Sequence, residues 1–263
     1  MTALVRLGIR VRADRAEEGL ARLLPVLAAG AEERQVGEAV EYAVYGPAGE
    51  LPAEVRVREL AGDTLVGVVH EPVPAGWERR WHDFLEPVEV GDLVIRPPWI
   101  DGAASDVVID PGTWFGAGGH PTTRLCLQLL LEAPPDGALC DWGAGTGVLA
   151  IVAARLVWSP VTAIELDADA LATIKSNAAA NGVELAAERG DVTTSPPWAP
   201  TVVANLTRPL LVAAAACVER PPRRLLVSGM LQQEVDEVVA AWGMREEHRL
   251  VDGEWAAVEL TAA

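Results

Sequence analysis

The sequence predicts an α/β protein: a small N-terminal α+β domain, then a larger doubly wound domain with a mostly parallel sheet. Three observations lead there. Strand-like and helix-like segments alternate along most of the chain. A glycine-rich turn, Asp141-Trp142-Gly143-Ala144-Gly145-Thr146-Gly147, joins an apolar strand to an apolar helix. The 263 residues also exceed what one average domain of about 100–200 residues needs. The reading divides the chain into an α+β domain over 1–71, a connecting helix over 72–86 and the α/β domain over 87–263.

In the first part, Val5, Leu7, Ile9 and Val11 alternate with Arg6, Gly8, Arg10 and Arg12, the period-two pattern of a strand with one buried face. Asp14 and Glu17 suit the start of a helix whose stripe is Leu20, Leu23, Leu24 and Leu27. Val36–Tyr45 is expected as a single strand ended by Gly46-Pro47, Pro52–Leu60 as a short helix and Thr64–His70 as a strand. Trp77, Trp81, Phe84 and Leu85 share one face of the expected connecting helix.

The second part opens with strands at Leu93–Arg96 and Val107–Asp110 and a helix at Thr122–Glu132. Strand Ala138–Trp142, helix Val148–Leu156, strand Val161–Leu166 and helix Ala168–Asn181 then alternate, with Gly182 past the last helix end. Strands at Thr201–Asn205, Arg224–Ser228 and Trp255–Thr261, and a helix at Gln232–Trp242, complete the pattern.

Composition narrows the function classes. The net charge of −17 opposes direct binding of nucleic acid and would attract a basic protein, although it also serves solubility. The longest apolar run lies within Leu210–Val218, well short of the roughly 20 residues a membrane span needs. No basic leader runs into a secretory apolar core, so the expectation is a soluble cytoplasmic protein that does not bind membranes. Cys126, Cys140 and Cys217 are too few and scattered for a disulfide framework or a metal site.

The turn after Asp141 carries the chemistry. Glycines at 143, 145 and 147 let the backbone bend sharply and let a ligand approach. The following helix points its free N–H groups the same way. Glu165 ends the next strand, twenty-two residues after Gly143, where an acid accepts both hydroxyls of a ribose. A dinucleotide site wants G-x-G-x-x-G, but position 148 is Val. The acid at Asp141 opposes a pyrophosphate and suits a cofactor with a cationic amino group, as S-adenosylmethionine has.

Two further segments belong to the expected site. Asp110–Thr123 holds four glycines within eight residues, then His120-Pro121-Thr122-Thr123 at a helix start. There the threonine hydroxyls can cap the helix or bind the ligand, and capping alone accounts for Thr122. The Pro neighbour gives His120 a loop-fixing role rather than that of a base. Val202-Val203-Ala204-Asn205-Leu206 places an amide at the strand edge where ligands bind in open α/β sheets.

These segments together resemble the ribosomal protein L11 methyltransferase family, PrmA. The resemblance is carried by Trp77–Pro87, Gly91–Trp99, Asp110–Thr123, Asp141–Gly147, Glu165–Asp167 and Ala204–Leu206, with Gly229-Met230-Leu231 and Trp255 fitting beyond them. Residues 1–71 agree only in length and strand pattern. The chain departs from the family pattern at Phe115-Gly116-Ala117-Gly118-Gly119-His120, where the family has threonine in place of Ala117 and Gly119. Its ribose acid is Glu165, where the family has Asp.

The resemblance implies a Rossmann-like class I methyltransferase domain with a seven-stranded sheet and S-adenosylmethionine as cofactor. Thr123, Gly143, Glu165 and Asn205 would contact that cofactor, alongside Asp141, Gly145 and Gly147 of the turn. Asn205 and Leu206 would orient the substrate amine, and Phe115 with Trp114 would wall the site. The implied substrate is a basic ribosomal protein methylated at lysine ε-amines, with an α-amine as a further target; the protein itself is expected to be a monomer. Other readings stay open at this point: methylation of another protein or a small molecule, a non-catalytic cofactor-binding assembly factor and, with Val148 and Asp141 against it, an NAD-dependent dehydrogenase.

Overall fold

A computed structural model describes residues 4–23, 26–27, 31–47, 51–73, 85–112, 116 and 118–262. The chain divides into two compact units, Met1–His82 and Asp83–Ala263.

The first unit runs β1 (Leu4–Arg12), α1 (Ala16–Leu23), β2 (Glu32–Val36), β3 (Ala39–Pro47), α2 (Glu54–Ala61) and β4 (Leu65–Pro72). Its sheet has the order β2-β3-β1-β4 with every neighbouring pair antiparallel, the split β-α-β arrangement of an α+β sandwich. Leu7, Ile9 and Val11 of β1 form its core with Leu23, Tyr42, Val57 and Ala61. The intervening positions of β1 carry charge. Arg6 and Arg10 bond the fully buried Glu41, joined by Arg34 from β2. Burial alone would raise the Glu41 carboxyl, but the three guanidinium bonds outweigh it and hold it down at about 2.

The expected single strand Val36–Tyr45 is instead a hairpin. Gly37, at φ 60°, turns the chain, so Val36 ends β2 while β3 begins at Ala39. Glu32-Glu33-Arg34-Gln35 is exposed and charged, with none of the apolar alternation that marks a strand. It holds its place by pairing as an edge. Leu24 of the α1 stripe and most of the expected connecting helix, Trp77, Trp81 and Phe84 included, lie outside the described residues.

The second unit opens with a three-stranded sheet of β5 (Val88–Val90), β6 (Leu93–Arg96) and β7 (Val107–Val108). Pairing in β7 stops two residues short of the expected Asp110 because its partner β6 ends at Arg96, before Pro97-Pro98; Ile109 N–H makes the last bond to the Arg96 carbonyl, and Val108 and Asp110 N–H go to the side chains of Asn181 and Asn177. Then come α3 (Pro121–Glu132), β8 (Leu139–Trp142), α4 (Val148–Arg155), β9 (Val161–Glu165), α5 (Ala168–Ala180), β10 (Ala186–Arg189), β11 (Thr201–Asn205), α6 (Arg208–Cys217), β12 (Arg224–Leu231), α7 (Val235–Trp242), β13 (Arg245–Asp252) and β14 (Trp255–Thr261).

Strands β8 to β14 form one seven-stranded sheet, ordered β10-β9-β8-β11-β12-β14-β13. The first five pair in parallel, and β14 is antiparallel to both β12 and β13. Two cores cover its faces. One packs Leu125, Leu129, Leu130 and Val148–Ala153 against the sheet, and the other packs Trp142, Leu211, Val238 and Trp242 against it. The strand order reverses direction between β8 and β11, which makes that gap the crevice where an open α/β sheet binds ligands.

Candidate active site

The carboxyl ends of three neighbouring strands bring the expected polar residues together. Asp141 is on β8, Glu165 ends β9 and Asn205 ends β11, with β8 paired to both neighbours. After Trp142 the chain turns through Gly143, Gly145 and Gly147, all at positive φ (71°, 54° and 83°), into α4. The turn is tied to β9: Gly143 and Ala144 N–H both donate to the Ile164 carbonyl, at 2.9 and 3.0 Å.

Glu165 closes this knot. One carboxylate oxygen accepts from Gly145 N–H at 2.9 Å, and the other accepts from Leu166 and Asp167 N–H at 2.7 and 3.2 Å. Its side chain therefore braces the turn as well as standing where a ribose acid is expected. The oxygen facing Gly145 keeps a second lone-pair direction for a hydroxyl donor, while the other already accepts two bonds.

Asp141 is fully buried. Its Oδ2 accepts from Ala150 N–H at 3.0 Å, satisfying one of the free donors in the first turn of α4, while Oδ1 has no hydrogen-bond partner among the described residues. Burial pushes this carboxyl up to about 7; the Ala150 bond pulls it down and the Glu165 charge pushes it further up. A buried acid with one unpartnered oxygen costs stability that a cationic ligand group would offset.

Asn205 is held by the start of α3, its side-chain nitrogen donating to Thr123 Oγ1 at 3.2 Å. That engagement leaves the amide oxygen as the atom to accept from an amine. Leu206, which follows, sits between two glycines. A Cβ at Gly143 would come within 2.4 Å of the Leu206 side chain, and one at Gly229 within 2.3 Å of its carbonyl oxygen. Leu206 N–H donates to the Ser228 carbonyl at 3.1 Å, beside a register shift between β12 and β14. The close approach at Gly229 fixes the Asn205–Leu206 corner. The sequence marked Gly229 only as part of a resemblance, and Ser228 only as a strand end.

At the helix start the cap is His120 rather than a threonine. Its Nδ1 accepts from Thr122 N–H at 3.3 Å and lies 2.8 Å from Thr122 Oγ1, and its ring meets Trp255 edge-on at 5.0 Å. Burial, and then the nearby Arg124 charge, lower its pKa. Thr122 and Thr123 are both buried. Trp114, Phe115 and Ala117 lie outside the described residues. A separate cleft of about 550 Å³ is lined by Trp142, Trp198, Cys217 and Arg220 and by none of Asp141, Glu165 and Asn205. Among the described residues, no group of three or more His, Cys, Asp or Glu could hold a metal, and no helix is long and apolar enough to cross a membrane.

The model of the ribosomal protein L11 methyltransferase (PrmA) family matches residues 40–263. The chain belongs to that family. A ribosomal protein L11 methyltransferase of Cupriavidus necator is 32% identical over 267 residues, covering 89% of this chain and 89% of the relative. One from Shewanella pealeana is 38% identical over 194 residues, covering 68% of this chain but only 64% of the relative's length. The crystal structure of a ribosomal protein L11 methylase from Lactobacillus delbrueckii subsp. bulgaricus superposes with a TM-score of 0.61 at 21% identity, over 68% of this chain and 98% of that one, and shares the fold. The PrmA match takes in Thr123, the Asp141–Gly147 turn, Glu165 and Asn205, together with Ser228 and Gly229.

Proposed function

We propose that this chain transfers methyl groups from S-adenosylmethionine to amines of ribosomal protein L11, lysine ε-amines above all, as a cytoplasmic monomer. The observation that carries the reading, beside family membership, is the trio of polar ends on β9, β8 and β11 around the strand-order reversal: Glu165, Asp141 and Asn205.

S-adenosylmethionine supplies a methyl made electrophilic by its sulfonium, together with an ammonium and a ribose. The residues present fit it. The unpartnered Asp141 oxygen suits the ammonium's positive charge, acting through the turn, and Glu165 suits the ribose hydroxyls. Gly143, Gly145 and Gly147 keep side chains out of the space beside the turn. Thr123 holds Asn205, and the Asn205 oxygen accepts a hydrogen bond from the substrate amine and aims its lone pair. A free lysine has a pKa of about 10.4, so the amine must arrive neutral, which a water-poor site favours. With no covalent intermediate required, the remaining work is alignment, a large part of what such a site contributes. Leu206, next to Asn205, completes the wall around the amine.

Residues 1–71 select the protein substrate and residues 87–263 carry the cofactor, with 72–86 connecting them. The overall negative charge suits a basic ribosomal protein. The test is transfer of labelled methyl from S-adenosylmethionine to purified L11. Labelled L11 is expected; cofactor binding without transfer to L11 or to any other ribosomal protein would overturn the assignment.

A further inference from the structure

Asp110 and Gly116 are tied to the glycine turn by buried polar side chains. Asn177 of α5, 2% exposed, accepts from Asp110 N–H through Oδ1 at 3.0 Å. Its Nδ2 donates both to the Asp110 carbonyl and to the Thr146 carbonyl, each at 3.0 Å. One amide thus spends three hydrogen bonds joining Asp110 to the middle of the turn. Thr146, fully buried, donates its hydroxyl to the Gly116 carbonyl at 2.9 Å. Gly116 sits at φ 112°, and a Cβ there would come within 2.7 Å of Thr146 Oγ1, so the Gly116 backbone meets the Thr146 side chain in space a side chain at 116 would fill. Arg124 donates to the Gly119 carbonyl at 2.9 Å.

The Asn177 and Thr146 bonds are not needed to form a strand or a helix: together they tie the backbone at Asp110 and Gly116, 30 or more residues away in sequence, to the turn. We infer that Thr146 and Asn177 are positioning residues for methyl transfer, holding Asp110 and Gly116 against the cofactor turn. The inference rests on the function proposed above. A neighbouring pair supplies the contrast. Asn181, one helical turn further on, accepts from Val108 N–H at 2.9 Å and donates to the Val108 carbonyl at 2.6 Å. It anchors β7 and donates to the Asn177 carbonyl at 2.8 Å, but among the described residues its side-chain hydrogen bonds reach neither the glycine turn nor Gly116.

The experiment compares Thr146→Val, Thr146→Ser, Gly116→Ala and Asn181→Ala in the full chain, measuring melting temperature, S-adenosylmethionine affinity by calorimetry, and kcat for methyl transfer to L11. Thr146→Val removes the hydroxyl at nearly constant volume. It is expected to lower kcat by about tenfold or more, as small misplacements at a reacting centre do, while cofactor affinity changes by less than about threefold. Thr146→Ser keeps the hydroxyl and should restore most of the rate. Gly116→Ala should reproduce the loss from the other side of the contact, and decides the matter if Thr146→Val fails to fold. Asn181→Ala should cost melting temperature without loss of kcat. A Thr146→Val or Gly116→Ala enzyme close to the wild-type rate, a Thr146→Ser enzyme as slow as Thr146→Val, or an equal loss in Asn181→Ala overturns the inference. Absence of transfer by the wild-type protein instead overturns the proposed function and this inference with it.

Discussion

The Asn205 side-chain nitrogen donates to Thr123 Oγ1 across 3.2 Å, joining residues 82 positions apart in sequence. Thr123 opens a helix and Asn205 ends a central strand, so the bond ties two elements at the sheet's ligand-binding edge. Asn205→Ala removes the proposed amine acceptor and should lower kcat by about 100-fold, with a smaller loss of cofactor affinity. Thr123→Val removes only the partner and should cost less. Steady-state kinetics with L11 checks both, and an Asn205→Ala enzyme at full rate would place amine orientation elsewhere.

Glu165→Gln should weaken S-adenosylmethionine binding by about 10- to 100-fold, the loss expected for a charge-assisted hydrogen bond. It should also lower the melting temperature, because the Gln NH₂ must face a backbone N–H wherever it points: Gly145 on one side, Leu166 and Asp167 on the other. Calorimetry and thermal unfolding separate the two effects. An unchanged dissociation constant would remove Glu165 from the cofactor site.

Asp141 should make cofactor stabilisation depend on pH. Its folded-state pKa is raised, to about 7, so its contribution to stability is fully present below its ordinary value of 3.8 and is lost as pH rises through about 7. The ligand-free protein therefore loses this contribution on the alkaline side, where an ammonium offsets the buried charge. The rise in melting temperature on adding S-adenosylmethionine should be larger near pH 8 than near pH 5.5, and Asp141→Asn should flatten that difference. A rise that is larger at the acidic end would contradict the assignment.

Gly229→Ala should destabilise the protein by about 1–3 kcal/mol, since the new methyl meets the Leu206 carbonyl at 2.3 Å and φ is 91°. The Asn205–Leu206 corner must shift to admit it, so kcat should fall as well. Denaturant unfolding and kinetics on the same preparation measure both, and a neutral substitution would mean that this corner is not held by close approach.

Much of the second unit was legible because its inner strands are continuously apolar and its helices carry clear starts: Ala138–Trp142, Val161–Leu166 and Thr201–Asn205 all lie within a residue or so of β8, β9 and β11. What escaped lies mainly at edges. Strands β10 and β13 flank the large sheet, and β2 flanks the small one, so charged residues such as Glu246, Glu247 and Arg249 break the apolar alternation. Helix α6 was read only as an apolar run, although Thr207 at its N-cap and Pro209 in its first turn are start signals; the Thr207 side chain makes no capping bond in the structure. In the site, the glycine turn and its acids announce themselves because their chemistry is compressed into local spacing. Thr146, Asn177 and Ser228 do not, because each acts on backbone groups 28 to 67 residues away, which no local pattern encodes.

The most direct test of the central claim is the intact mass of ribosomal protein L11 isolated from cells with and without this gene. The account predicts that L11 from gene-bearing cells is heavier by a whole number of methyl groups, located on lysine side chains, and that the increment disappears when the gene is deleted and when Asn205→Ala replaces it. L11 of identical mass from both strains would contradict the account.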